Sequence, residues 1–193
     1  MFKKRFIFLV ICCFSFTGTQ AQEHTQVLIK ATSELSIKGN TNINKFSCKF
    51  NTATLSNKIP ASYKAQNNKL AFSQATLVLN NECFDCGKKM ITRDFRDLIK
   101  AETYPDITLT IHELIKSDSD PDVYNALVEF NIAGVAKTYK IPVSVQSKEH
   151  LVASGNISLN IRDFNLENPK KAFGLIKIED VISIHFLLEM ETV

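Results

Sequence analysis

Cys83-Phe84-Asp85-Cys86 is the stretch whose residue types and spacing most resemble site chemistry, two thiols with two residues between them, as in redox pairs and half zinc sites. A zinc site needs four ligands, and the sequence offers no second cysteine pair and no His-x-x-x-His nearby. A thiol-redox pair sits at a helix N-terminus after a strand in a βαβ unit, whereas the residues around these cysteines read as strands in series. Three readings stand: a local disulfide between Cys83 and Cys86, a loop pair with no bond, and a redox or metal function. Cys48, between Phe46 and Phe50 on what reads as the apolar face of a strand, is expected to be a buried small hydrophobe.

Other catalytic patterns are missing from the sequence. There is no Gly-x-Ser-x-Gly elbow, no His-Glu-x-x-His and no phosphate-binding loop. His112 and His185 fall on the outward phase of their strands, and Glu102 and Asp106 read as a solvated pair of acids near a helix end. No catalytic residue, metal or cofactor is assigned, and the expectation is a non-enzyme.

The elements that position these residues are mostly strands. Ile91, Phe95, Leu98 and Ile99 recur at three and four residues, the spacing of one helical face, and Tyr104-Pro105 turns the chain toward extended geometry. From Asp106 to Ile115 the pattern becomes that of a strand, with Ile107, Leu109 and Ile111 on one side. Two or three strands are expected between Gln26 and Leu55, a loop over Ser56 to Asn68, and a strand from Leu70 to Leu79 with a bulge near Gln74. Ala126 to Ile132 and Tyr139 to Val145 read as a hairpin turned at Gly134, with Pro142 on an edge-like position. Leu151 to Ile161 alternates without a miss, Asn165 to Phe173 reads as a loop, and Ile182, Ile184, Phe186 and Leu188 share one face of a last strand. Seven to nine antiparallel strands with one helix predict an all-β closed barrel or a sandwich.

The N-terminus has the layout of a secretory leader: Lys3, Lys4 and Arg5, then an apolar run from Phe6 to about Phe16, then Thr19-Gln20-Ala21. Residues 1–21 are therefore expected to be a signal peptide and 22–193 a single domain, periplasmic or secreted, with no membrane span in the mature chain. Cleavage takes three basic residues and leaves 20 Lys and Arg against 20 Asp and Glu, so bulk charge gives no reason to expect nucleic acid as a partner. It also leaves three cysteines, which allow one disulfide and one free thiol.

Strands with one apolar face hide it by closing on themselves, and a barrel of about eight strands is either filled by side chains or holds one elongated apolar ligand. The inward set read from the alternation is Phe46, Phe50, Phe72, Leu77, Phe95, Leu109, Ile111, Phe130, Ile157, Leu159 and Phe186. Asn42, Asn44 and Arg93 are candidates for contact with a polar headgroup. The expected partner is a hydrophobic small molecule, with homodimerisation left open. Two rival readings are a thiol-redox or metal-linked envelope protein using Cys83 and Cys86, and a structural or adhesive envelope protein with a filled core.

Several motifs add a resemblance. Arg93-Asp94, Tyr104-Pro105-Asp106-Ile107-Thr108, Gly134-Val135-Ala136-Lys137, Pro142-Val143, the LNIRDFNLEN segment and the DVISIHF strand are similar, in that order, to segments of the bacterial YceI-like family. Members often carry a His-Phe-like pair after an upstream Gly, whereas here Gly39 leads to Lys45-Phe46 with no histidine. The resemblance implies an antiparallel, eight-stranded, lipocalin-like β-barrel in the periplasm enclosing a polyisoprenoid, an isoprenoid quinone or another long lipid chain.

Overall fold

The structure, a computed structural model, describes residues 22–147, 149–169, 175 and 177–193. The expected leader, and part of the expected loop to Phe173, lie outside the described residues. Eleven strands and one helix follow one another: β1 (Glu23–Ile29), β2 (Glu34–Asn40), β3 (Lys45–Phe50), β4 (Ile59–Gln66), β5 (Lys69–Asn80), β6 (Phe84–Asp85), α1 (Lys89–Leu98), β7 (Asp106–Lys116), β8 (Val123–Ile132), β9 (Val135–Ser147), β10 (Leu151–Asn160) and β11 (Val181–Thr192). All pairings among the described residues are antiparallel. Eight strands form a ring in the order β1-β4-β5-β7-β8-β9-β10-β11, and β11 returns to β1 through Val27↔Thr192, Leu28↔Glu191 and Ile29↔Met190.

The remaining strands extend the wall at one end of that ring, where Leu35, Ile37, Phe46 and Phe84 line its interior. After a kink at Lys30–Ser33 the chain continues as β2, which pairs with Ser183 to Leu187 of the same β11 edge that β1 uses further along. Thr52 holds the kink by donating to the carbonyls of Ala31 and Ser33, at 3.0 and 2.8 Å. β3 pairs with β2, and the two-residue β6 pairs with β3.

The alternation predicted most of this. The bulge expected near Gln74 is there, where the β5–β7 register shifts between Ala71 and Thr76. Ala133 and Gly134 form the two-residue turn of the β8–β9 hairpin, both with positive φ (51° and 78°), a conformation for which glycine is the cheap choice. Pro142 pairs with Asn125 of β8, and the β9–β10 ladder begins only at Ser144, so the proline occupies the expected edge-like position. The helix stops at Leu98, before Tyr104-Pro105. Lys100 is left-handed (φ 55°), and Ala101 N donates to Arg96 O while Lys100 N donates to Asp97 O, the paired bonds of a Schellman ending.

One element is corrected. Ser56 to Asn68, read as a loop, contains β4, which pairs with β1 on one edge and β5 on the other. Its fully buried inward residue is small, Ala61 opposite Ala75, and it is flanked by Pro60 and Ser62, so the strand carries no run of large apolar residues to read. Neighbouring ladders define it instead.

Candidate functional site

α1 lies across one end of the ring. Its first turn is prepared by Asp85, whose carboxylate accepts from Gly87 N at 2.9 Å and from the Thr92 hydroxyl at 3.3 Å; Cys86 N donates to Thr92 Oγ1 at 3.0 Å. The Arg96 guanidinium donates to the carbonyl of Glu82 at 2.7 Å and pairs with the Glu82 carboxylate at 2.6 Å, tying the helix to the turn before β6. Phe95 and Ile99 point inward, and Phe84 stacks between Phe50 and Phe95, at centroid distances of 5.0 and 5.2 Å.

The cysteines depart from expectation. Cys86 is bonded to Cys48, 38 residues earlier, and Cys83 is the free thiol among the described residues. A local Cys83–Cys86 bond is therefore corrected, and Cys48 is buried but not a free hydrophobe. The reason is the ladder. Phe50↔Phe84 and Lys49↔Asp85 bring Cys48 opposite Cys86 on the inward side of the ribbon, while Cys83 falls on the other side, in an open groove outside α1. That groove mixes Lys89, Arg93, Arg96 and Lys100 with Glu82, Asp85, Asp97 and Glu102, so no single ligand charge is selected. Among the described residues no group of three or more His, Cys, Asp or Glu is placed to hold a metal.

Beneath α1 the ring interior leaves a cleft of about 70 Å³. Of its 20 lining residues only Asn168 is polar, and its amide is spent on Asp180 Oδ1 at 2.8 Å and on the carbonyls of Ile178 and Glu179. Ligand clefts are commonly about 300–1,000 Å³. The open, tail-length pocket that the resemblance implied is thus narrowed to an apolar seam. The lining is nonetheless unevenly covered. Phe84, Phe130, Leu159 and Phe164 are fully buried, whereas Phe46, Leu98, Leu109, Ile178 and Ile182 are only half-buried although they line the interior.

The inward set divides accordingly. Phe46, Phe95, Leu109, Phe130 and Leu159 line the cleft. Phe50, Ile157 and Phe186 are buried elsewhere in the same core, with Leu77 and Ile111 half-buried against it. Phe72 keeps the inward phase, because the β5 bulge makes it the partner of Tyr63, two residues from buried Ala61, but its ring packs on Tyr63 at 5.5 Å, outside the core cluster and away from the cleft. Leu79, Phe84 and Phe164 line the cleft and were not in the set; the last two sit in β6 and a single 3₁₀ turn, too short to show a period.

None of the three headgroup candidates lines the cleft. Asn42 spends its side chain on Leu175 O (3.0 Å) and Lys177 N (2.9 Å), Asn44 lies in the β2–β3 turn, and Arg93 is on the outer face of α1. Asn81, unremarked in the sequence, is 1% exposed and fixes the chain between α1 and β7: its amide donates to Tyr104 O at 2.7 Å and its N–H to Pro105 O at 2.8 Å. The Tyr104 ring in turn lies over Gly134, where a Cβ would come within 2.5 Å of it. His112 and His185 face outward as expected, beside Glu129 (3.9 Å) and Asn156 (3.1 Å).

Known proteins fit this geometry. The sequence profile of the YceI-like domain matches residues 57–190. No curated protein matches the chain. BcnA of Burkholderia cenocepacia has a similar structure, at 24% identity and TM-score 0.64 over 83% of this chain and 97% of that one. A polyisoprenoid binding domain from Saccharophagus degradans, implicated in plant cell wall breakdown, is 15% identical with TM-score 0.62 over 88% and 98%. The Campylobacter jejuni YceI protein is 18% identical with TM-score 0.51 over 63% and 73%. With the profile spanning more than half the chain and an eight-strand ring capped by one helix, this protein belongs to the YceI-like family.

Proposed function

We propose that the chain is an exported, non-catalytic binding protein that takes a long isoprenoid or similar lipid chain into the apolar end of its barrel. The observation that carries this is the uneven cover of the cleft: inward residues such as Phe46, Leu109 and Ile182 are only partly buried around an almost wholly apolar seam. The similarity to a polyisoprenoid binding domain supports the same ligand class. Binding widens the 70 Å³ cleft by moving half-buried side chains. Each methylene removed from water contributes about 0.8 kcal/mol, so a prenyl tail holds without many polar contacts.

The test is to mix the purified mature chain with geranylgeraniol and count complexes by native mass spectrometry. A one-to-one complex, lost on unfolding, is expected. Failure to bind either geranylgeraniol or a longer prenyl alcohol at micromolar concentration would leave the filled-core reading in its place.

A further inference from the structure

We infer that the lipid enters and leaves sideways, through the seam between β2 and β11, with the Phe46 ring as its shutter and its polar head resting in the depression outside. The inference rests on the lipid-binding reading above. Lys38 pairs with Ser183, yet Thr41 bridges Ile178, so the β11 side of the seam is two residues longer than the β2 side it faces. The surplus leans the other way: Val181 pairs with Asn160 and Asp180 O accepts from Ile161 N, both toward β10. The ladder is therefore interrupted over Gly39, between the Lys38–Ser183 pair and the Glu179 N–H that donates to Asn40 O at 3.0 Å, and Gly39 has no side chain to cover the gap. Phe46, opposite Gly39 across the ladder, folds its ring into that space; a Cβ on Gly39 would meet the ring at once.

Two spaces meet at this point. Phe46 and Ile182 line the interior cleft, and the same two residues line a depression of about 510 Å³ on the outer surface. Around the depression stand Lys38, Asn40, Lys45, Ser47 and Glu179. Glu179 keeps its charge although the Asn40 amide donates to it at 3.0 Å, so Lys38 and Lys45 leave the depression with one net positive charge, which favours an anionic, phosphate-type head. The seam between β9 and β10, whose ladder also stops short, differs. There Phe164 packs on Tyr139, whose hydroxyl donates to Asp163 at 2.7 Å, so the gap is filled.

The experiment closes the seam covalently. In a Cys83→Ser background, Asn40→Cys and Glu179→Cys are joined by a short bis-alkylating reagent, the link is verified by mass, and uptake of geranylgeranyl phosphate is timed by native mass spectrometry. Uptake is expected to slow at least tenfold, while the same link between Glu129→Cys and Thr138→Cys, paired across the β8–β9 hairpin, changes it less than twofold. Phe46→Ala is expected to speed both uptake and release severalfold. Lys38→Ala with Lys45→Ala is expected to weaken geranylgeranyl phosphate about fivefold or more and geranylgeraniol hardly at all. Unchanged uptake in the linked chain would overturn the lateral route in favour of entry under α1, and equal effects on the two probes would remove the head from the depression. An unlinked chain that takes up neither probe would instead refute lipid binding itself.

Discussion

Cys48→Ser is the perturbation that most sharply separates the cysteine pairing found here from the one the CxxC spacing suggests. The Cys48–Cys86 bond closes a loop of sequence separation 38. In the chain-entropy treatment such a loop is worth about 4 kcal/mol at 25 °C, which in a domain of this size lowers Tm by about 8–16 °C when the bond is lost. Cys83→Ser should leave Tm within a degree or two, since that thiol is unbonded and partly exposed in the outer groove. Peptide mapping adds a second readout. Trypsin cuts after Lys45, Lys49, Lys69 and Lys88, so Cys48 leaves on residues 46–49 while Cys83 and Cys86 leave together on 70–88. Without reductant the two peptides should appear joined, with Cys83 alkylated. A bond internal to 70–88, or a Tm loss on Cys83→Ser instead of Cys48→Ser, would refute the reasoning about strand register.

Phe130 is 1% exposed, so Phe130→Asp should leave no folded protein by circular dichroism, while His112→Ala, outward and half-exposed, should change stability by less than about 0.5 kcal/mol in urea melts and leave lipid uptake intact. Gly134→Ala, at φ 78° and beneath the Tyr104 ring, should cost about 1–2 kcal/mol or more in the same melts. Burial, and then the hydrogen bond to Asp163, push the Tyr139 hydroxyl up to about 12. Its contribution is therefore fully present below pH 10 and lost as pH rises from 10 to 12; absorbance at 295 nm should show a late-titrating tyrosine that Tyr139→Phe removes, along with stability loss in that window.

Alternation made the long strands legible, because a residue pointing into a barrel must be apolar and its neighbour need not be. Where a strand faces the interior with small residues, as β4 does with Ala61, that signal vanishes and only its neighbours reveal it. A bulge displaces everything beyond it: the shift near Gln74 moves the inward positions of β5 from odd after it to even before it, which keeps Phe72, paired with Tyr63, on the inward side. Cys48 meets Cys86 only because β3 and β6 are in register, information that spacing along the chain does not contain. Arg96, which anchors the helix, looks in sequence like any solvated arginine between apolar positions. The motifs shared with the family fared well for a physical reason, since Tyr104-Pro105 and Gly134 come together as a ring packed on a turn.

The central claim is that the apolar seam under α1 opens to hold an oily chain. Its most direct test is mass spectrometry of the protein purified from its native envelope under non-denaturing conditions. A hydrophobic small molecule carried one per protein, retained while folded and released on unfolding, is the predicted result. Protein that emerges empty, and stays empty when offered prenyl lipids, would contradict the account.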